Sequence, residues 1–84
     1  MPYQVRLAKQ AAKDFKELPP KLQKKFIQIV QDVLQQNPYE GKKLVGELLG
    51  SYSFRLSYKD RIVYQIDSKR KIVFIERAKT HYGE

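Results

Sequence analysis

The 84-residue chain contains no cysteine and no tryptophan, and it has a single histidine. Without cysteine there can be neither a disulfide framework nor a thiolate metal site, and one histidine cannot build a zinc site by itself. No apolar run approaches the ~20 residues that a bilayer requires, and residues 1–10 lack the apolar centre of a signal peptide. The sequence therefore predicts a cytoplasmic protein without a membrane segment, whose folding rests on packing alone.

The sequence also lacks internal repeats, low-complexity tracts and Gly/Ser-rich linkers. A chain of this length closes one small core but not two. Its composition, 42% hydrophobic and 31% charged, is typical of a folded, soluble domain. We therefore predict a single domain over residues 1–84, with little apolar surface left for a deep substrate cavity.

Acidic residues are scarce compared with basic ones. The 17 Lys and Arg against 9 Asp and Glu give a net charge of +8 and a pI near 9.8. Residues 1–39 and residues 40–84 each have four more basic than acidic side chains. The excess is therefore not confined to a tail, and it predicts a polyanionic partner that binds the folded domain itself.

The first half of the chain predicts one strand and two helices. Residues 3–7 alternate between apolar and polar side chains, as in a strand with one buried face. Ala12, Phe15 and Leu18 then fall three apart, which places them on one face of a helix. A proline pair ends this helix and opens the next. The apolar positions of the second helix are Leu22, Phe26, Ile29, Val30 and Val33.

The second half of the chain predicts the rest of a sheet. Residues 51–58 alternate most clearly, and residues 61–67 and 71–77 predict two more strands joined by tight turns. Residues 44–49 fit either a further short strand or an extended loop. The predicted fold class is α+β, with a small antiparallel sheet packed on an N-terminal helical hairpin in the order β-α-α-β-β-β.

Strand parity predicts a basic surface on this sheet. The helices can cover only one face, so the other face is expected to be open, and parity places Arg55, Arg61 and Arg77 on it. Three guanidinium groups on one surface favour phosphate binding, with solvated arginines as the alternative. The residues predicted to pack on the helices are Phe54, Leu56, Ile62, Tyr64, Ile66, Ile72 and Phe74.

The single histidine, His81, is followed by Tyr82 and comes soon after the last predicted strand. Histidine titrates near neutral pH and can transfer a proton without special tuning, although a lone histidine is often a solvated bystander. RNA carries its own nucleophile, the 2′-OH, so its cleavage requires positioning, charge stabilisation and proton transfer. The acidic residues are scattered without metal-ligand spacing. The pattern therefore indicates RNA cleavage without a metal or other cofactor.

Residues 44–64, with the sequence LVGELLGSYSFRLSYKDRIVY, and the later KTHY resemble the RelE/ParE superfamily of bacterial toxins, on its RelE and YoeB side. The resemblance spans the whole chain. It implies a RelE-like fold and the toxin of a type II toxin–antitoxin system, an mRNA interferase that cuts messenger RNA on the ribosome. The positions that match the pattern are Leu44, Gly46, Gly50, Tyr52, Arg55, Arg61, Ile62 and Tyr64.

The resemblance also implies roles for individual residues and partners. Arg55 and Arg61 correspond to the arginines that contact the phosphate and stabilise the transition state. His81 corresponds to the proposed general acid, and Tyr82 to a residue that orients the RNA. A cognate antitoxin is expected to cover the basic face, with DNA contacted only through the antitoxin complex. The residues expected to bind RNA around this centre are Lys42, Lys43, Arg77 and Lys79.

Two departures from the family pattern leave questions open. Lys42 stands where YoeB-like chains have a glutamate base, so the base is left open between Lys42, Lys43, Glu40 and Glu47. Ser53 replaces an arginine that several RelE members have. Two other functions stay as alternatives, a ParE-like inhibitor of DNA gyrase with the same fold and a non-catalytic RNA- or ribosome-binding module.

Overall fold

The computed structural model describes residues 2–44 and 50–79, and it begins with a strand and a helical hairpin. Strand β1 spans Gln4–Leu7, helix α1 spans Lys9–Glu17 and helix α2 spans Pro20–Ile29. These elements confirm the strand and the two helices predicted from the apolar spacing. Within the described ranges, neither helix has the length and apolar character needed to cross a bilayer.

The proline pair separates the two helices as predicted. The Leu18 N–H donates to the Phe15 carbonyl oxygen at 3.1 Å and closes α1, and Pro20 is the first residue of α2. Proline is tolerated there because the first helical N–H has no partner within the helix. The Gln23 side chain then donates to the same Phe15 carbonyl oxygen at 2.9 Å. This bond ties the start of α2 to the end of α1.

The chain leaves α2 through irregular turns before it enters the sheet. A π-helical turn spans Val30–Leu34, in which the Gln35 N–H donates to the Val30 carbonyl oxygen at 2.9 Å. A short 3-10 turn comes next at Pro38–Glu40. The Tyr3 N–H donates to the Gln35 carbonyl oxygen at 2.7 Å, so the start of the chain is fastened to the end of this helical segment.

Five strands form the sheet in the order β1-β5-β4-β3-β2. Strand β2 spans Lys42–Lys43, β3 spans Ser51–Arg55, β4 spans Arg61–Asp67 and β5 spans Ile72–Arg77. The α+β fold is confirmed, and the antiparallel arrangement holds from β2 to β5. Strand β1 pairs with β5 in parallel, so the sheet is mixed. Of the segment left open between strand and loop, residues 45–49 lie outside the described residues.

One face of the sheet packs against the helices and forms the core. Leu56, Ile62 and Tyr64 are fully buried there, as predicted from their alternation. Phe54 and Ile66 pack against the same cluster and are partly buried. The buried members of the cluster are Tyr3, Ala11, Leu18, Phe26, Ile29, Leu34, Leu56, Ile62, Tyr64, Val73, Ile75 and Ala78.

The side chains of the last strand that face the core were predicted wrongly, one residue out of register. Val73 and Ile75 are buried in the core, whereas Phe74 is 43% exposed and Ile72 lies on the other face. The reason is the length of the preceding turn, which pairs Ile66 with Val73 instead of Ile72. All four side chains at 72–75 are apolar, so alternation alone could not choose the face.

Candidate functional site

Arg55 and Arg61 lie directly opposite each other at the end of the β3–β4 hairpin. A tight turn holds them there, because the Leu56 N–H donates to the Asp60 carbonyl oxygen at 3.0 Å. The Asp60 N–H in turn donates to the Ser57 hydroxyl oxygen at 3.1 Å. The sequence prediction that these two arginines share one surface is therefore correct. We call the sheet face opposite the helices, which carries both residues, the arginine face.

The arginine pair is an unusual arrangement of charge. Residues directly opposite on antiparallel strands have Cβ atoms about 5 Å apart, and like charges there destabilise the pairing. Within residues 2–44 and 50–79, no carboxylate forms an ion pair with Arg55 or Arg61. Arg55 is exposed and Arg61 is partly exposed. An unneutralised pair of this kind conflicts with local stability, and such conflicts concentrate at functional sites.

The two lysines of β2 lie on different faces of the sheet. Lys42 pairs with Ser53 and shares the arginine face, whereas Lys43 pairs with Tyr52, which packs toward the core. Both lysine side chains are exposed. Of the two lysines predicted at this edge, only Lys42 therefore lies on the same face as Arg55 and Arg61.

The centre of the arginine face is more closed than expected. Ser51, Ser53 and Val63 are all buried there. The Glu76 carboxylate accepts hydrogen bonds from the Ser51 hydroxyl at 3.0 Å and from the Gln65 amide at 3.2 Å. Ser53 Oγ has no hydrogen-bond partner within the described part of the chain. The buried part of the arginine face is thus its centre, whereas Gln65 and Phe74 on the same face are exposed, as is Arg55 at the end of the hairpin.

Arg77 does not lie on the arginine face, and this prediction was wrong. Its guanidinium group turns toward α1, where Nε donates to Asp14 Oδ2 at 2.8 Å. The cause is the same shift of register together with a β-bulge opposite Val63 and Tyr64, which gives Glu76 the position on the arginine face. The sheet therefore brings two of the three predicted arginines together.

The Asp14 carboxylate accepts hydrogen bonds from its own helix, α1, and from the residues at the end of β5. Besides Arg77, the Ala78 N–H donates to it at 3.1 Å and the Gln10 amide at 3.0 Å. Burial by itself raises the pKa of the Asp14 carboxyl, but its three donors and the charge of Arg77 hold that pKa below the ordinary value. Asp14 is therefore an ionised carboxylate at neutral pH.

The sequence pattern did not single out Asp14, because carboxylates are seldom buried unless they are paired. The spacing held a usable signal, since Asp14 comes three residues after Ala11 and four before Leu18, both of which are buried. Lys79 is held nearby, with its Nζ atom 3.5 Å from Glu17 Oε1 at the surface. The two basic residues predicted to bind RNA near the end of β5 thus both pair with acids of α1.

Several predicted site residues lie outside the described residues. These are His81 and Tyr82, and also Glu47 among the candidates for the base. Glu40 is exposed at the end of the 3-10 turn. Within the described ranges, no group of three or more His, Cys, Asp or Glu side chains is placed to hold a metal ion.

The sequence of this chain matches a family model described as the ParE toxin of the type II toxin–antitoxin system parDE, over residues 5–81. The chain belongs to this toxin family. A search of curated protein sequences finds no match. With the family established, the predicted membership of the RelE/ParE superfamily is confirmed.

Solved structures of related toxins have the same fold over nearly the whole chain. The RelBE2 toxin–antitoxin complex of Mycobacterium tuberculosis is 32% identical, with a TM-score of 0.86, covering 95% of this chain and 99% of that one. The RelE–RelB complex of Pyrococcus horikoshii is 27% identical, with a TM-score of 0.79 and full coverage of both chains. The YoeB–YefM complex of Staphylococcus aureus is 26% identical, with a TM-score of 0.78, covering 98% and 100%. The predicted RelE-like fold is confirmed.

Proposed function

We propose that this toxin is an endoribonuclease that cleaves messenger RNA on the ribosome without a metal ion. The observation that carries the proposal is the pair Arg55 and Arg61, which face the same side of one hairpin with no acidic partner among the described residues. Preorganised donors of this kind stabilise charge that develops in a transition state. A phosphodiester that is attacked in line develops such charge on its non-bridging oxygens.

The chemistry assigns one role to each residue of the centre. The RNA 2′-OH gives its proton to the general base, which is one of Lys42, Lys43, Glu40 and Glu47, and its oxygen attacks the adjacent phosphorus. The two arginines stabilise the negative charge on the phosphorane oxygens. His81 gives a proton to the departing 5′-oxygen, and Tyr82 orients the nucleotide. The products are a 2′,3′-cyclic phosphate and a 5′-OH. Acid catalysis of this kind contributes about 10²–10⁴ to the rate.

The surrounding basic residues contribute unequally to RNA binding in this proposal. Lys42 shares the face of the arginines and supplies positive charge next to the phosphate. Lys43 lies at the same edge but on the other face, and it acts on RNA that passes over the edge. Arg77 and Lys79 contribute less, because the charge of each is balanced by an acid of α1.

We further propose that a cognate antitoxin inhibits this toxin in the cytoplasm. The similar toxins from Mycobacterium tuberculosis, Pyrococcus horikoshii and Staphylococcus aureus are each in complex with an antitoxin. A net charge of +8 favours an acidic segment that covers the arginine face. DNA would then be contacted only through that complex.

The decisive experiment combines purified protein with messenger RNA, with and without ribosomes, and maps the new RNA ends. We expect cuts that need the ribosome and end in a 2′,3′-cyclic or 3′-phosphate. Arg61→Ala should lower the cleavage rate by about 10²–10³, and His81→Ala should also lower it. Arg70→Ala is the matched control, because Arg70 lies in the turn before β5, away from the arginine pair. Equal cleavage by Arg61→Ala and the parent would contradict the proposed site.

Inhibition of DNA gyrase is the second candidate, because the matching family model carries the ParE description. A toxin of that type blocks DNA supercoiling by purified gyrase and leaves RNA intact. Supercoiling that is blocked in vitro, together with intact messenger RNA in the presence of ribosomes, would favour this function over RNA cleavage. Binding to ribosomes with neither effect would favour a non-catalytic module.

A further inference from the structure

We infer that the outer side of the two helices is a second RNA-binding surface, which binds the phosphate backbone of double-helical RNA in the ribosome. It lies on the side of the sheet opposite to the arginine face. The inference rests on the proposed function for the ribosome as the place of cleavage, but it uses no residue of the arginine face. The residues that form this surface, which we call the lysine surface, are Lys9, Lys13, Lys16, Lys21, Lys24 and Lys25.

The lysine surface contains a charge excess that the proposed function leaves unused. Residues 1–39 carry seven basic and three acidic side chains, and six of those seven basic residues are lysines of α1 and α2. The proposed cleavage site uses basic residues from the second half of the chain only. The charge on the helices therefore points to a further contact with a polyanion.

Both acids of the helices are already paired with residues at the end of β5. Asp14 and Glu17 are the only acidic residues of α1 and α2. Asp14 Oδ2 lies 2.8 Å from Arg77 Nε, and Glu17 Oε1 lies 3.5 Å from Lys79 Nζ. Within residues 2–44 and 50–79, no residue of the lysine surface therefore forms an ion pair. All six lysine side chains are exposed.

Helical geometry aligns these lysines into stripes. Lys9, Lys13 and Lys16 follow the i, i+4, i+7 spacing, so they lie within about 60° of one another around α1 and span about 10 Å along it. The buried residues Ala11 and Asp14 lie on the other side of this helix. The three lysines of α2 follow the i, i+3, i+4 spacing and form a second stripe. Positive charges in rows of this kind suit the regularly spaced charges of a phosphate backbone.

The composition of the lysine surface favours RNA over a membrane or a protein as its partner. A basic amphipathic helix binds a membrane by burying its apolar face in the lipid, but here Leu18, Phe26 and Ile29 are already buried in the core. A protein interface requires apolar or aromatic anchors, and Ile27 is the one large apolar side chain that is exposed on α1 or α2. Lysine contacts phosphates as a point charge, and double-helical RNA is recognised through its backbone and shape.

The two surfaces have separate tasks because they lie on opposite sides of the sheet. RNA that is bound on the helices leaves Arg55 and Arg61 accessible to the messenger RNA. The lysine surface therefore sets how tightly the toxin binds the ribosome, whereas the arginine pair sets the rate of cleavage once the toxin is bound.

The test measures the affinity of the variant Lys13→Gln/Lys16→Gln for purified ribosomes and for an RNA duplex of about 20 base pairs, at several salt concentrations. We expect both affinities to fall by about 10- to 50-fold at about 0.1 M salt. The slope of log affinity against log salt should fall by about 1.5, because each phosphate contact contributes about 0.7–0.9. The cleavage rate at saturating toxin should stay within about twofold of the parent.

Two further variants separate the position of the charge from its amount. Lys69→Gln/Arg70→Gln is the matched control, because it removes the same charge from exposed residues of the turn before β5. Its affinities should be close to those of the parent. Lys13→Arg/Lys16→Arg keeps the charge on α1 and should also bind like the parent.

The outcomes distinguish this inference from the proposed function. Ribosome affinity of Lys13→Gln/Lys16→Gln equal to that of the matched control would overturn the inference and leave the proposed function intact. Normal binding with slow cleavage at saturation would also overturn it, since the lysines would then act in the chemistry. Weaker binding to phosphatidylserine vesicles, with unchanged binding to the duplex, would make a membrane the partner instead. If the parent does not cleave messenger RNA, the proposed function fails, and the two affinities still decide the inference because neither depends on cleavage.

Discussion

At the residue scale, Tyr64 links the sheet to the segment that precedes it. Its side chain is fully buried, and its hydroxyl donates to the Pro38 carbonyl oxygen at 2.7 Å. Its ring stacks on Tyr52, with 5.8 Å between the ring centroids. Gly41 passes so close to this hydroxyl that an added Cβ would overlap it. Tyr64, one of the positions that match the family pattern, thus has a clear structural role.

Gly41→Ala is therefore expected to destabilise the protein by about 1–3 kcal/mol, because overpacking forces neighbouring atoms to move. The new Cβ would also lie 2.8 Å from the Ser53 carbonyl oxygen. Urea denaturation of the purified variant measures the loss. In the Tyr64→Phe background the loss should be smaller, since one of the two obstacles is gone. An equal loss in both backgrounds would show that the hydroxyl is not the obstacle.

Stability should also fall at alkaline pH because of Tyr64. Burial raises the pKa of this tyrosine to about 12, whereas an unfolded tyrosine titrates near pH 10. Between these values the unfolded chain loses a proton that the folded chain keeps, so the contribution is complete below pH ~10 and is lost as the pH rises toward 12. We expect Tyr64→Phe to lack about 1 kcal/mol of the decline between pH 9 and pH 11. Parallel alkaline slopes in urea titrations of both proteins would contradict this.

At the element scale, strand β5 shows where sequence patterns stop being decisive. Strands β3 and β4 alternate clearly, and their core faces were predicted correctly. Strand β5 is apolar on both sides, so its register depends on the turn that precedes it. That turn ends at Lys71, whose φ of 59° is left-handed and rare for a residue other than glycine. No local pattern indicates this conformation at a lysine.

Adjacent residues of β5 provide a matched test of the register. Ile75→Ala should cost about 2–5 kcal/mol, because it empties a fully buried position. Phe74→Ala removes a larger side chain that is 43% exposed, and it should cost much less. Thermal or urea unfolding of both variants measures the difference. A larger loss for Phe74→Ala would mean that the strand has the opposite register.

Sequence patterns predict only some of the residue positions in the candidate site. Arg55 and Arg61 were predictable, because one short hairpin with clean alternation sets their relative position. Arg77 and Asp14 were not, because they meet across 63 positions of the sequence through helix–sheet packing. The burial of Asp14 was also not predictable from its residue type, since carboxylates are seldom buried unless they are paired.

At the scale of the whole molecule, positive charge greatly exceeds the acids available to neutralise it. The net charge is +8, and only two ion pairs form among residues 2–44 and 50–79, both between α1 and the end of β5. Among the described residues, no acidic side chain forms an ion pair with the basic residues of β2, β3 and β4. A polyanion that binds there would release counterions from its backbone.

Binding to single-stranded RNA should accordingly weaken as salt rises. Each phosphate contact contributes about 0.7 to the slope of log affinity against log salt, so Arg55→Ala should reduce the slope by about that amount. Fluorescence anisotropy of a labelled RNA at several salt concentrations measures this. Arg70→Ala is the control, because Arg70 lies in the turn before β5, away from the arginine pair. An unchanged slope for Arg55→Ala would remove this residue from the RNA surface.

The parallel pairing of β1 with β5 has a consequence for the order of events during synthesis. Gln4 aligns with Ile72. Strand β1 is translated first, but it cannot pair with β5 until residues 72–77 have also been translated. The β3–β4 hairpin emerges earlier, but an isolated two-stranded hairpin is at best marginally stable in water. The arginine pair therefore gains a rigid base only when β5 joins the sheet. A ribosome that makes this toxin has therefore translated residues 72–77 before the arginine pair of the nascent chain is held in place.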